Sequence, residues 1–142
     1  MNISDILARR ADNAVVTISP DATVRELVET LANHNIGACV VSSDGAAIDG
    51  IVSERDVVRR LSDTEDLANL PVSQIMTSSV LTCAPATSLD ELMGLMTERR
   101  FRHVPVVEDG TMVGIVSLGD AVKHRIDELT FERDQLATYV NS

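Results

Sequence analysis

The chain has 142 residues and a formal net charge of −10, so it is long enough for one compact core and lacks the basic face that nucleic acid binding needs. Its aromatic residues are two phenylalanines and one tyrosine, which predicts a core of aliphatic side chains. No apolar run approaches the roughly 18 residues of a membrane span, and the first residues lack the pattern of a secretory signal, so we expect a cytoplasmic protein that binds neither membranes nor nucleic acid.

The first half of the chain predicts three helices and three strands. Ser4 is the expected N-cap of a short first helix. Thr23 and Glu26 have the spacing of a capping box, and the apolar residues after them recur at helical spacing, so a second helix begins there. The predicted strands are 15–18, 38–41 and 48–53, and a third helix follows through Leu61.

The second half repeats this order after an acidic connector at 62–71. Residues 72–76 echo the first short helix, and Ser88 and Glu91 have the spacing of another capping box. The predicted strands are 80–83, 103–107 and 112–117. Because the apolar stripe of the capped helix returns 65 positions later, the chain contains an internal repeat.

The clearest sign of the repeat is the pattern Gly-Ile-Val-Ser-x-x-Asp, which occurs at 50–56 and again at 114–120. In each copy a short apolar strand leads to a serine that can cap the next helix, and an acid follows in the first helical turn. We call Ser53–Asp56 the first corner and Ser117–Asp120 the second corner. The exposed backbone N–H groups of such a corner suit an anion.

The predicted fold class is α+β: two β-α-β-β-α repeats packed sheet to sheet about a pseudo-twofold axis, with a long C-terminal helix. A repeat of about sixty residues is small for a core of its own, so the two halves are expected to bury their sheets together. Two equivalent clefts would result, and clefts of this kind are favoured ligand sites. The expected boundaries are 1–62 for the first repeat, 72–125 for the second, and 126–142 for a helical extension.

The last helix is predicted from Leu118 to Val140. Its apolar residues have a heptad-like spacing that Arg133 interrupts. These residues are Val122, Ile126, Leu129, Leu136 and Val140. Such a seam fits either contact with a second subunit or packing on its own domain.

The sequence gives no support for catalysis. Cys39 and Cys83 lie in predicted strands without Cys-x-x-Cys spacing, so we expect buried free thiols. The three histidines have no ligand spacing. Because no nucleophile with a base, metal cluster or carboxylate pair converges in the motifs, we expect neither an enzyme nor a catalytic cofactor.

The tandem units, each ending in the corner pattern, resemble a pair of CBS domains, together called a Bateman module. Residues 101–107 are similar to the second strand of that family and residues 80–85 to its first, and the resemblance covers about residues 3–125. It implies a non-catalytic sensor that binds an adenine nucleotide, commonly AMP, ADP or ATP, and in some members NAD or S-adenosylmethionine.

In this family the corner acid accepts hydrogen bonds from ribose hydroxyls, the corner hydroxyl contacts phosphate or ribose, and strands of the other repeat clamp the adenine. By position, one cleft would use Ser53, Arg55, Asp56, Val80, Leu81, Thr82, Arg102, His103, Val104 and Pro105. The carboxylate of Asp56 only accepts hydrogen bonds and so suits a cis-diol, while the cations suit phosphate. Alternatively, Asp56 only stabilises the helix dipole.

By the same resemblance, the other cleft would use Ser19, Ile36, Gly37, Ala38, Cys39, Ser117 and Asp120. There Gly119 stands in place of Arg55, and Gly37-Ala38 in place of Arg102-His103. We therefore expect weaker phosphate binding on this side and tighter mononucleotide binding beside Asp56.

The leading functional hypothesis is a regulatory module that responds to adenine nucleotides, forms a homodimer and signals to a separate protein. The alternative is a structural or interaction dimer whose ligand clefts are weak or empty. The presence of both Asp56 and Asp120 favours the first hypothesis.

Overall fold

The computed structural model describes residues 1–141, which form a mixed α+β structure of five α-helices and two small sheets. These elements divide into two compact units. Residues 14–81 and 108–113 form one, which we call the first-corner unit because it contains Ser53–Asp56. Residues 1–13, 82–107 and those from Gly114 onward form the second-corner unit. The N-terminal segment thus belongs to the unit of the second corner.

The first-corner unit is built on a three-stranded sheet. Its elements are β1 (Thr17–Ile18), β2 (Ala38–Val41), β3 (Gly50–Ser53), α2 (Val24–His34), α3 (Glu54–Leu61) and 3-10 turns at Leu67–Asn69 and Val72–Gln74. In the order β1-β2-β3, β1 runs parallel to β2 and β2 antiparallel to β3. The connector is not wholly polar as expected, because Leu67 packs into the core of this unit.

The second-corner unit contains the longest helix of the chain, α5 (Leu118–Asn141). Its other elements are α1 (Ile3–Ala8), α4 (Leu89–Arg99) and the paired strands β4 (His103–Glu108) and β5 (Thr111–Ser117). Between these strands Asp109 and Gly110 both have positive φ, 51° and 76°, which confirms the predicted tight turn. Residues 108–113, which comprise this turn, the last residue of β4 and the first three residues of β5, are grouped with the first-corner unit.

The predicted helices are present, with corrected beginnings. Helix α1 begins at Ile3 rather than after Ser4, and Asp5 Oδ2 accepts a hydrogen bond from the backbone N–H of Asn2 at 2.8 Å. The predicted short helix at 72–76 is a 3-10 turn. Helix α4 has only half of the expected capping box, in which Ser88 Oγ accepts from the backbone N–H of Glu91 at 3.1 Å.

The predicted strand at 80–83 is wrong: among the described residues only Cys83 makes a bridge there, parallel to Val106. The backbone N–H of Cys83 donates to Pro105 O at 3.0 Å, and that of Val107 donates to Cys83 O at 2.8 Å. Extending this ladder toward residue 81 would need a backbone N–H from Pro105, and proline has none. The two other shortened strands are β1, which lacks residues 15–16, and β3, which begins at Gly50.

Equivalent contacts in the two units confirm the internal repeat. A Cβ added to Gly50 would lie 2.7 Å from Sδ of Met76, and one added to Gly114 would lie 2.8 Å from Cδ2 of Leu7. Residues 72–76 and 3–7 are thus equivalent: Met76 packs against β3 as Leu7 packs against β5. Helices α2 and α4 also both end in a left-handed residue, Asn35 and Arg100.

Helix α5 confirms the predicted span, and only its first half packs on its own unit. Ala121 is buried, and Arg125 makes ion pairs with Asp90 at 3.3 Å and with Glu128. Glu128 also pairs with the amino group of Met1 at 3.0 Å. The helix is exposed from Leu129 to Asn141, so packing on its own domain does not account for the apolar seam there. Within residues 1–141, no helix combines the length and the apolar character needed to cross a bilayer.

Candidate functional site

The first corner is a complete capping box with one carboxylate oxygen left over. Ser53 Oγ accepts from the backbone N–H of Asp56 at 3.3 Å. Asp56 Oδ2 accepts from the backbone N–H of Ser53 at 2.8 Å and from its hydroxyl at 3.1 Å. Asp56 is half-buried, and within residues 1–141 its Oδ1 has no hydrogen-bond partner. A fixed, charged acceptor therefore faces away from the cap.

Two residues that were predicted for the other cleft, Gly37 and Ala38, lie directly beside this corner. The backbone N–H of Glu54 donates to Gly37 O at 3.0 Å, and Ala38 is the register partner of Ser53. Arg55 projects from the first turn of α3 and is exposed; in the described part of the chain it makes no ion pair. The corner thus offers an acceptor on Asp56 and an exposed cation on the neighbouring residue, Arg55.

The second corner has the same cap. Asp120 Oδ2 accepts from the backbone N–H of Ser117 at 3.0 Å, and Ser117 Oγ accepts from the backbone N–H of Asp120 at 3.0 Å. The backbone N–H of Leu118 donates to Arg102 O at 2.7 Å, so Arg102 lies here where Gly37 lies at the first corner. Arg102 was predicted for the cleft of the first corner. The side chain of Arg102 is exposed.

Sequence reasoning missed Arg10, which lies at the second corner. Its Nη2 donates to Asp120 Oδ2 at 2.8 Å and its Nη1 to Ile115 O at 2.7 Å. Leu7 and Met76 are equivalent positions of the repeat, and the residues three positions after them are Arg10 and Ser79. That comparison could have singled Arg10 out as a difference between the repeats, although nothing in the sequence placed it on Asp120.

Several predicted site residues can offer only backbone groups to a ligand, because their side chains belong to the core. Ala38 and Cys39 in β2 are buried, as are Val104 and Pro105 in β4. Burial raises the pKa of the Cys39 thiol to about 11, and burial with the nearby charge of Glu91 raises that of Cys83 to about 11. Both thiols are free and buried, as expected, and stay protonated at neutral pH.

The remaining predicted residues lie at the ends of strands or in extended chain. Ser19 follows β1, where its Oγ accepts from the backbone N–H of Asp21 at 3.2 Å, and the half-buried Ile36 precedes β2. The half-buried His103 begins β4. Val80, Leu81 and Thr82 also lie outside regular structure. The grouping of residues from both halves into one cleft stays a prediction, and so do the expected domain boundaries.

Both corners present groups that are suited to recognising a ligand. In each, the aspartate carboxylate accepts from the backbone N–H of the serine, and the serine hydroxyl accepts from the backbone N–H of the aspartate. An arginine lies near each pair. In the described residues, no group of three His, Cys, Asp or Glu side chains is arranged to hold a metal ion. An acceptor with a neighbouring guanidinium suits a ligand that carries both hydroxyl groups and negative charge.

Comparison with known proteins gives a consistent result. The family model described as CBS domain matches residues 3–63 and 72–127. The mitochondrial CBS domain-containing protein CBSX3 of Arabidopsis thaliana is 35% identical over 146 aligned residues, which cover 97% of this chain and 71% of that protein.

Two solved structures are similar to most of this chain. A CBS-domain containing protein of Agrobacterium tumefaciens superposes with a TM-score of 0.83 at 40% identity, covering 88% of this chain and 99% of that one. A CBS domain protein of Pyrobaculum aerophilum, solved in complex with AMP, superposes with a TM-score of 0.73 at 27% identity, covering 84% of this chain and 89% of that one.

Proposed function

Because the chain belongs to the CBS-domain family, we propose that it is a non-catalytic regulatory module that binds an adenine nucleotide and signals to a separate protein. The observation that carries this proposal is the unused Oδ1 of Asp56, held outward by a cap that occupies Oδ2. A carboxylate fixed in this way can accept a ribose hydroxyl without reorganising. The AMP complex of the Pyrobaculum aerophilum protein supports the choice of ligand class.

In this proposal Asp56 and Asp120 accept the ribose hydroxyls, while Ser53 and Ser117 contact ribose or phosphate. The cations assigned to phosphate are Arg55, Arg102 and His103. The residues assigned to the adenine are Ser19, Ile36, Gly37, Ala38, Cys39, Val80, Leu81, Thr82, Val104 and Pro105. The ligand is AMP, ADP or ATP, with NAD as a further candidate, and the protein acts in the cytoplasm.

A thermal-shift panel tests the proposed ligand class. A ligand that binds only the native state stabilises it by about 2.7 kcal/mol at a hundred times its Kd, which raises the unfolding midpoint by several degrees. We expect this with at least one of AMP, ADP, ATP and NAD at millimolar concentration. GMP is the matched control for recognition of the base and is expected to shift the midpoint less than AMP. Unchanged midpoints with every adenine ligand would favour the interaction module with empty clefts.

We also propose that the protein is a homodimer that pairs through helix α5. The seam residues Val122, Ile126, Leu129, Leu136 and Val140 are between 41% and 72% exposed. Apolar residues spaced in heptads on an exposed helix are typical of a coiled contact. The second half of α5 lacks any other apolar cover within residues 1–141.

The position of Arg133 favours an antiparallel pair. A parallel pair in register would place the two Arg133 guanidinium groups against each other. An antiparallel pair centred on Phe131 would instead set Val122 opposite Val140 and Ile126 opposite Leu136, with Arg133 opposite Leu129. The two arginines would then lie about four residues, or about 6 Å, apart along the axis.

Charges placed in the seam should separate the subunits. We expect the double variant Leu136→Glu/Val140→Glu to have the 15.3 kDa mass of one chain by light scattering, and the unmodified protein to have twice that mass. Gln135→Glu, at an exposed position outside the seam, is the control and should leave the mass unchanged. Equal masses for the unmodified protein and the double variant would exclude pairing through α5.

A further inference from the structure

We propose that Arg10 is a specificity-determining residue of the second corner, where it favours adenosyl ligands that carry negative charge over neutral ones. This inference rests on the proposed function and adds a residue to the site that neither the repeat nor the comparisons assign. The geometry that carries it is the contact of the Arg10 guanidinium with both Asp120 and the strand that precedes it.

The guanidinium is held firmly in this position. One arm donates to Ile115 O at 2.7 Å and the other to Asp120 Oδ2 at 2.8 Å. The backbone N–H of Arg10 donates to Leu7 O at 3.2 Å, and the side chain of Leu7 packs against Gly114. The segment is therefore held to β5 through Leu7 and through the guanidinium itself, which keeps the charge at the corner.

The contact leaves Asp120 able to bind a ligand while offsetting its charge. Oδ2 of Asp120 is occupied by the backbone N–H of Ser117 and by Arg10, whereas Oδ1 has no partner in the described residues. The side chain of Asp120 is 41% exposed and that of Arg10 is 24% exposed. Oδ1 can accept a ribose hydroxyl, and three of the five guanidinium N–H directions of Arg10 remain for an anion.

The first corner handles the same charge differently. There the second donor to Oδ2 of Asp56 is the uncharged hydroxyl of Ser53, and the counterpart of Arg10 is the exposed Ser79. Its cation is Arg55 on the helix, where the second corner has Gly119. The arginine next to the corner acid in sequence is thus on the helix at the first corner, whereas the arginine bonded to the corner acid at the second corner comes from the N-terminal segment, with Arg102 nearby on the strand side.

Removing the Arg10 charge should therefore weaken the binding of the ligand's phosphate and leave the binding of its nucleoside unchanged. Without Arg10, the anionic Asp120 repels a nearby phosphate, and a cation that could bind the phosphate is lost. A unit charge at this range, partly exposed to solvent, changes affinity by about tenfold. Adenosine, which is neutral, should bind with little change.

The test is the ratio of adenosine to AMP dissociation constants, measured by calorimetry in protein that carries Asp56→Asn to weaken the first corner. A ratio above one is a preference for AMP. We expect Arg10→Gln to lower this ratio about tenfold, and Arg10→Lys, which keeps the charge, to retain most of it. Arg9→Gln removes an exposed neighbouring charge and should leave the ratio unchanged. Because both ligands are titrated into the same preparation, a loss of stability alone cancels from the ratio.

A gain-of-charge variant completes the test. Gly119→Arg copies Arg55 onto the second corner, where a new Cβ would come no closer than 3.7 Å to Ser117 Oγ, and it should restore the preference for AMP in the Arg10→Gln protein. An unchanged ratio in Arg10→Gln would overturn the inference. Loss of all binding in Asp56→Asn would overturn it too, while binding by the unmodified protein would leave the proposed function standing.

Discussion

Replacing Asp56 with asparagine is expected to weaken AMP binding about thirtyfold. Asparagine has nearly the shape of aspartate and keeps a carbonyl oxygen for the cap, but it lacks the charge that strengthens hydrogen bonds from ribose hydroxyls. Hydrogen bonds to a charged group contribute about 2 kcal/mol, which corresponds to about thirtyfold in Kd. Calorimetric titration of AMP into both proteins measures the difference directly.

The matched control for Asp56→Asn is Glu54→Gln. Both changes remove one negative charge from the first turn of α3 with almost no change in shape, so they have similar effects on the helix dipole. Only Asp56 forms the capping box and presents an oxygen outward. Equal losses of AMP affinity in the two variants would mean that general charge, rather than a ribose contact, is what Asp56 provides.

Replacing Gly50 with alanine is expected to lower the free energy of unfolding by about 2 kcal/mol, or the melting temperature by about 6 °C. A Cβ there would lie 2.8 Å from the backbone oxygen of Thr77. That oxygen accepts from the backbone N–H of Ile51 at 2.9 Å, and the N–H of Thr77 donates back to Ile51 O at 2.9 Å. Because these bonds hold Thr77 against β3, the new methyl group can be accommodated only by moving the strand.

Gly114→Ala is the control that the repeat itself supplies. Position 114 is equivalent to position 50, but the three atoms nearest to a Cβ there all belong to the side chain of Leu7, whose terminal methyl groups can rotate away. We expect a cost below about 1 kcal/mol for Gly114→Ala. Thermal unfolding of the two variants gives both values, and an equal or larger loss in Gly114→Ala would refute this account of the segment before each corner.

The features of the fold that follow from short-range pattern could be predicted. Capping residues and apolar stripes identified α2 and α4, because both signals lie within one or two helical turns. The repeat of Gly-Ile-Val-Ser-x-x-Asp identified both corners, and the structure confirms that each serine caps the helix that follows.

The features that depend on contacts between distant segments could not be predicted. The strand expected at 80–83 fails because Pro105, more than twenty residues later, lacks the N–H that the ladder needs. The N-terminal segment joins the second-corner unit, with an ion pair between residues 110 positions apart. No local pattern encodes either contact.

Arg10 bears on the expected difference in phosphate affinity between the two clefts. Weaker phosphate binding beside Asp120 was expected because Gly119 stands in place of Arg55 and Gly37-Ala38 in place of Arg102-His103, which left that cleft without a cation. The structure supplies one from the N-terminal segment, at 2.8 Å from Asp120. The order of the two affinities stays a prediction, and the premise on which it rested no longer holds.

The central claim is that the two corner carboxylates bind an adenine nucleotide, and one titration tests it most directly. AMP is titrated by calorimetry into the unmodified protein and into the double variant Asp56→Asn/Asp120→Asn, with circular dichroism to confirm that both are folded. We predict saturable binding to the unmodified protein and a loss of at least thirtyfold in the double variant. Absence of binding to the unmodified protein at millimolar AMP, or equal affinity in the two proteins, would contradict the claim.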